Sequence, residues 1–468
     1  MPRFNTTAPS TLTINEAGGK AYKQSDELEL VSILLTSFGG NEYYKSSNDT
    51  FKRLKELVNS CETEFVSKAI IYARTQFGMR TITHVAASEL ALKLSGKKYA
   101  KNFFDKVIYR VDDITEIISY HFSKGGKLSG AMKKGFASAL GRFDEYSLAK
   151  YRGEGKGVRL VDVVNMVHPK QTEKNQGGIE KLIKGELKSF DTWEVDITAA
   201  GSDEVKKKAA WSKLVTENKL GYFALLRNLR NLLQYTPELT GEVVSQLTDE
   251  KSIAKSLVLP FRFITAFDEI QKMNASKEVR EVLMALNKAV DVSIKNVPVF
   301  DGDTLVVLDV SSSMSGKPST IGALFASVLI KSNNADLILF ATGAEYRNVN
   351  PMDSTITIAN QFRFSGGGTN FPSIFQVANK KYDRVIILSD MQGWIGRDTP
   401  VSTYNQYKQR TGANPFVYSF DLNSYGSMMF PENNVFCIAG FSEKVFDIMA
   451  LLERDKKALI NTINAIEL

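Results

Sequence analysis

From Leu28 to about Asn296, apolar residues recur at spacings of three and four, segment after segment. The pattern predicts amphipathic helices over Glu27–Leu35, Thr63–Gln76, Thr83–Leu94, Ala100–Tyr109, Ile114–Phe122, Leu128–Leu140, Ser147–Tyr151, Leu160–Val167, Lys206–Val215, Tyr222–Leu233 and Ser276–Val290. Almost nothing in this stretch alternates as a strand does. Many short helices joined by polar turns predict an α-solenoid of paired helices, although no strict sequence repeat is present. The polar segment Gln171–Thr198 is expected to be a loop-rich insertion on the solenoid surface.

The pattern changes at Asn296-Val-Pro-Val-Phe-Asp-Gly-Asp303. Beyond it, strands are predicted at Thr304–Asp309, Asp336–Ala341, Arg384–Ser389, Phe416–Asp421 and Val435–Ile438. Helices are predicted at Thr320–Ser332, Pro372–Lys380, Thr403–Thr411 and Glu443–Leu452. Such alternation marks a doubly wound, mainly parallel sheet. The fold class expected is therefore multidomain, α plus α/β, with a helical domain over residues 1–296 and a Rossmann-like domain over 301–468. In an open parallel sheet the ligand crevice lies at the carboxyl ends of the strands, where Asp309, Thr369 and Asp390 fall.

Composition fits this division. The chain has 468 residues, 43% hydrophobic and 24% charged, too many for one core. Residues 1–300 carry 45 Lys and Arg against 36 Asp and Glu, and residues 301–468 carry 14 against 16. Residues 51–159 alone hold 21 basic and 11 acidic side chains. A basic helical half suits a polyanion such as nucleic acid, and it suits a solvated lysine-rich surface too. Two distant cysteines, Cys61 and Cys437, support neither a disulfide framework nor a zinc site. With no apolar leader and no membrane-length apolar run, a cytoplasmic protein with no membrane partner is expected.

The most specific chemistry sits after the first predicted strand of the C-terminal half. Leu305-Val-Val-Leu-Asp309 runs into Asp309-x-Ser311-x-Ser313, Thr369 follows three glycines, and Asp390 ends the run Val385-Ile-Ile-Leu-Ser-Asp390. Two carboxylates and three hydroxyls suit a hard cation, Mg²⁺ above all, that retains waters and leaves a position for a partner's carboxylate or phosphate. Ser311 and Ser313 are expected to ligate directly, Thr369 directly or through water, and Asp309 and Asp390 to anchor coordinated waters. The alternative is a set of capping turns and ordinary strand-end residues. Residues 301–468 resemble the von Willebrand factor A-type domain, whose metal-ion-dependent adhesion site has these five positions. Catalysis has no comparable support and no enzymatic activity is expected. His84, His121 and His168 all precede residue 300, and Gly316-Lys-Pro-Ser-Thr lacks the first glycine of a phosphate loop.

The helical half carries a second resemblance. Asn15-Glu-Ala-Gly-Gly-Lys-Ala-Tyr22, Gly39-Gly40, Tyr43-Tyr44, Gly78-Met-Arg80, Lys150-Tyr-Arg152, His168-Pro-Lys170, Trp193-Glu194 and Ala224-Leu-Leu-Arg-Asn-Leu229 resemble, in order, the TROVE module of the Ro (SS-A) autoantigen family. Ro proteins pair that module with an A-type domain. The resemblance implies a HEAT-like helical ring that binds small Y or Y-like noncoding RNA on its outer face. Single-stranded 3′ ends of structured or misfolded RNA would enter the central hole. It further implies a role in RNA quality control, RNA stability or stress response, with an exonuclease tethered through RNA as a possible partner.

Carried over to this chain, the Y RNA contacts fall on Lys150, Arg152, Lys156, Arg159 and His168, where cations grip phosphates and a histidine or arginine plane stacks on a base. A solvated helix face is the alternative, and Glu154 places a negative charge inside the patch. Lys127, Lys133 and Lys134 form a second basic cluster. Arg227 and Arg230 lie one turn apart and point the same way, toward RNA or toward a buried acid such as Glu217. Two further readings remain: a protein-interaction platform whose metal-bearing A domain captures an acidic partner, and a metal-dependent hydrolase, for which two carboxylates are few.

Overall fold

The computed structural model describes residues 12–15, 18–23, 26–36, 47–153, 155–187, 197, 200–256, 258, 260–364, 366–395, 398–422, 427–429, 435–438, 446, 449, 453 and 462–468. Contacts divide the chain into two compact units, residues 1–190 with 420–468 and residues 191–419.

The first unit is helical, and capping residues set its boundaries. Glu62 accepts from the Glu64 and Phe65 amides at 3.0 and 2.8 Å and opens the helix Thr63–Thr75. Ser129 opens Gly130–Leu140, and Asp144 opens Glu145–Lys150. The buried stripe of Gly130–Leu140, which includes Met132, Gly135, Phe136, Ala139 and Leu140, leaves Lys133 and Lys134 exposed. A buried polar cluster crosses this unit. Arg74 donates twice to Asp113, from Nε and Nη2 at 3.0 and 2.9 Å, and His84 Nε2 lies 2.9 Å from the same carboxylate.

The structure adds elements that the apolar spacing did not mark. Ahead of the helical stretch the chain forms strands: Leu12–Ile14 pairs antiparallel with Lys20–Lys23, which pairs in turn with Ser427–Met428. The reason lies in the turn, where Gly18 has φ +82° and Asn15 Oδ1 accepts from the Gly19 amide at 2.8 Å. Nor is Gln171–Thr198 wholly loop, since Gly178–Lys184 is a helix bounded by left-handed glycines, Gly177 and Gly185. Helices at Ser47–Ser60, Thr240–Leu247, Glu250–Ser256, Pro260–Gln271 and Thr355–Gln361 were not marked by the apolar spacing.

In the second unit, helices Glu204–Thr216 to Lys277–Ser293 lead into the sheet. Strand order is Ala344–Tyr346, Asp336–Phe340, Thr304–Asp309, Arg384–Ser389, Phe416–Asp421. Thr304–Asp309 is parallel to both neighbours, Leu308 standing beside Leu339 and Leu388, and Ala344–Tyr346 is antiparallel. Every residue of Thr304–Asp309 and Arg384–Ser389 is buried, as befits strands covered on both faces. The change from helices to alternation falls where the sequence pattern changes, between Asn296 and Thr304. Packing nevertheless crosses that point. Asp291 Oδ1, on Lys277–Ser293, accepts from the Thr355 amide at 3.0 Å and from Lys331 Nζ at 3.0 Å. The expected strands at Thr304–Asp309, Arg384–Ser389, Phe416–Asp421 and Val435–Ile438 are present. The expected helix Glu443–Leu452 lies almost wholly outside the described residues.

Candidate metal centre and nucleic-acid interface

Parallel register brings the ends of two adjacent strands together. Asp309 ends one and Ser389 the next, and Ser389 Oγ donates to Asp309 Oδ2 at 2.6 Å. The chain turns back beyond Asp309, so the Ser311 amide donates to Asp309 Oδ1 at 2.9 Å and the Ser311 and Ser313 hydroxyls lie 3.3 Å apart. Thr369 arrives on the glycine loop. Gly366 and Gly367 have φ +115° and +87°, and a Cβ on Gly367 would lie 2.8 Å from Thr342 Cγ2, so the path requires glycine. The loop is tied down by the Ser312 amide on Gly367 O at 3.5 Å and by the Trp394 and Ile395 amides on Thr369 O at 3.0 and 3.1 Å.

After Asp390 comes Met391 at φ +60°, a left-handed conformation that is strained for a residue other than glycine. It is held by the Ser389 Oγ bond to the Met391 amide at 3.0 Å, while the Gln392 amide donates to Asp390 Oδ1 at 3.2 Å. Asp309, Ser311, Ser313, Thr369 and Asp390 are all at most 3% exposed. Burial pushes the Asp309 carboxyl up to about 6, against hydrogen bonds from Ser311 and Ser389 that pull it down. Among the described residues Asp309 makes no ion pair. No cluster of three or more His, Cys, Asp or Glu side chains suited to a metal occurs among the described residues, so any cation here would rest mostly on hydroxyls. Ser389 was not singled out in the sequence. Its signal is the parallel register, which sets it beside Asp309.

The basic candidates of the first unit sort by their partners. Lys156 Nζ lies 2.6 Å from Glu116 Oε1, Arg159 pairs with Asp162 at the start of Leu160–Val167, and Arg152 Nη1 donates to Leu187 O at 2.8 Å. The Lys150 ammonium lies 5.7 Å from the centroid of the Tyr146 ring. His168 is exposed and caps Leu160–Val167 at φ +49°. Lys127, Lys133 and Lys134 are exposed and make no ion pair among the described residues. Glu154 and Trp193-Glu194 lie outside the described residues.

Arg227 and Arg230 are exposed on Tyr222–Tyr235, and Glu217 pairs with Lys219 instead. The run Lys206–Lys208 is neutralised by Asp203, Glu204 and Glu238. Both arginines line a cleft of about 340 Å³ between Tyr222–Tyr235 and Pro260–Gln271.

Against this geometry stand the known proteins the chain resembles. Residues 173–299 match the family model for the TROVE domain. The crystal structure of the Ro (RSR) protein of Deinococcus radiodurans superposes with a TM-score of 0.63 at 18% identity, covering 92% of this chain and 99% of that one. Residues 173–299 are thus similar to a TROVE domain, and the chain has the fold of that Ro protein. That fold joins an N-terminal helical region to a mainly parallel sheet, as the two hydrophobic periods predict. Two curated relatives, telomerase protein component 1 of Mus musculus and of Rattus norvegicus, are 22% and 21% identical over 343 and 346 residues. Those stretches are 54% of this chain and 13% of each relative, so the chain spans a small part of their length. No helix among the described residues is long and apolar enough to cross a membrane.

Proposed function

We propose that this protein is a non-catalytic, RNA-binding scaffold of Ro type that acts in the cytoplasm. The observation that carries the proposal is the coincidence of a TROVE match with the Ro fold along nearly the whole chain. The exposed, unneutralised cations Lys127, Lys133 and Lys134 support it physically, since phosphate binding needs accessible charge. On this reading, Y-like RNA lies along Lys150, Arg152, Lys156, Arg159 and His168, and RNA with a single-stranded 3′ end meets Arg227 and Arg230 within a helical ring. An exonuclease would join through the bound RNA. Lys156 and Arg159 must then exchange Glu116 and Asp162 for phosphates, which makes them weaker contributors than the three free lysines.

Five buried oxygen-bearing side chains favour a second role for the sheet. Their donor set, two carboxylates and three hydroxyls, fits Mg²⁺, and a bound cation would neutralise the carboxyl that burial otherwise drives toward protonation. Ser311, Ser313 and Thr369 would hold it, with Asp309 and Asp390 orienting its waters. When bound, the cation supplies a site for an acidic side chain of a protein partner.

Sequencing of the RNA that copurifies with the protein, with electrophoretic titration against structured RNA carrying a single-stranded tail, tests the main proposal. Enrichment of discrete noncoding RNAs is expected. Equal affinity for duplex DNA at moderate salt would refute it.

A further inference from the structure

The cleft between Tyr222–Tyr235 and Pro260–Gln271 has a composition that a merely solvated surface does not require. Its floor is apolar, with Leu226, Leu229 and Ile270 at most 3% exposed. At its edge Phe223 is 41% exposed, a large ring left in water at the start of a helix. Two guanidiniums from different helices converge on that ring, Arg227 and Arg262, each 5.6 Å from its centroid. Arg230 adds a third cation to the lining. Glu269 is the one carboxylate there, and it is occupied by Lys272 Nζ at 2.6 Å, whose hydrogen bond holds its carboxyl below the usual range.

A flat apolar ring, two planar cations near it and a net positive charge match one ligand chemistry: an aromatic base carrying an anionic phosphate. Bases stack on phenyl rings and on guanidinium planes, and arginine forks suit phosphate oxygens. The volume, about 340 Å³, is at the lower end of small-ligand sites, the scale of one nucleotide. We infer that this cleft is a nucleotide subsite for single-stranded RNA, in which a base stacks on Phe223 while Arg227, Arg230 and Arg262 hold the adjoining phosphates. This inference rests on the RNA-binding reading above and adds to it a base-stacking residue and a preference. In a duplex both faces of each base are already stacked, so Phe223 selects unpaired RNA.

The test uses the full chain, fluorescein-labelled decauridylate and a blunt RNA duplex, with binding followed by anisotropy. Phe223→Ala is expected to weaken decauridylate binding about tenfold, the loss of one stacked base, and to leave duplex binding unchanged. Phe223→Trp should retain affinity and show indole fluorescence quenched on saturation, beyond any change in the parent protein. The double variant Arg227→Gln, Arg262→Gln should weaken binding and flatten its salt dependence. Decauridylate affinity within twofold of the parent in Phe223→Ala overturns the subsite and leaves the RNA-binding reading standing. If the parent protein binds neither RNA, both fall. Should Phe223→Ala prove misfolded by circular dichroism, the tryptophan variant decides alone, and unquenched fluorescence at saturating RNA overturns the subsite.

Discussion

Asp113 and Asp309 are both buried carboxyls, and their surroundings send them in opposite directions. Burial pushes Asp113 up, but hydrogen bonds from His84 and Arg74 and their charges more than reverse this and hold it at about 2. A depressed carboxyl stabilises the fold above its ordinary value and loses that contribution as pH falls through the folded one. Acid unfolding of this region is therefore expected between about pH 4 and pH 2. Asp113→Asn should cost about 3–5 kcal/mol, because it strands Arg74, and should flatten the acid limb of a denaturant-midpoint profile against pH. Asp309 has no such cation, so burial dominates. Titration with Mn²⁺ followed by electron paramagnetic resonance should reveal one bound ion, and Ser311→Ala, Ser313→Ala should weaken it at least about tenfold while leaving RNA affinity unchanged. Asp309, Ser311, Ser313, Thr369 and Asp390 were singled out by linear patterns: alternate spacing after one apolar run, a glycine run, and the end of another apolar run. Ser389 and Phe223 were not, because each acts through a neighbour that sequence distance hides.

At the scale of elements, apolar spacing located helices best where one face is wholly buried, as in Gly130–Leu140 or Leu160–Val167. Ser47–Ser60 and Pro260–Gln271 were not marked, although Leu54, Leu57 and Val58 on the one and Phe263 and Ile270 on the other form buried faces at helical spacing. The hairpin Leu12–Ile14 with Lys20–Lys23 is too short to show alternation, and its turn chemistry was the sole local signal. Close packing of elements was equally hidden. A Cβ on Gly135 would lie 2.5 Å from Phe104 Cβ and 2.6 Å from Lys101 O, so Ala100–Lys106 and Gly130–Leu140 approach to a distance that only glycine permits. Gly135→Ala gains helix propensity yet must part the two helices. The expected outcome is a net loss of about 1–3 kcal/mol, read from chemical denaturation. A gain in stability would mean that the helices yield without cost.

For the whole molecule, the proposed function predicts a dependence on salt. If roughly five phosphates are neutralised by the exposed cations, log K should fall against log salt with a slope of about −3.5 for single-stranded RNA. Lys127→Gln, Lys133→Gln, Lys134→Gln should make that slope shallower by about 2, and a slope near zero in the parent protein would count against polyanion binding. The amino-acid sequence by itself determined the helical stretch, the onset of alternation between Asn296 and Thr304, and the five oxygen-bearing positions, four at or just beyond strand ends and Thr369 on the glycine loop. These are periodic or local patterns, set by side-chain burial within one element. Only the tertiary structure decided that Lys277–Ser293 is joined through Asp291 to the helices Lys317–Asn333 and Thr355–Gln361, that Lys156 and Arg159 are already paired while Lys127, Lys133 and Lys134 are not, and that Arg262 and Arg227 both lie over the Phe223 ring. Each depends on which distant surfaces come together, and pairing and burial between elements leave no period in the chain.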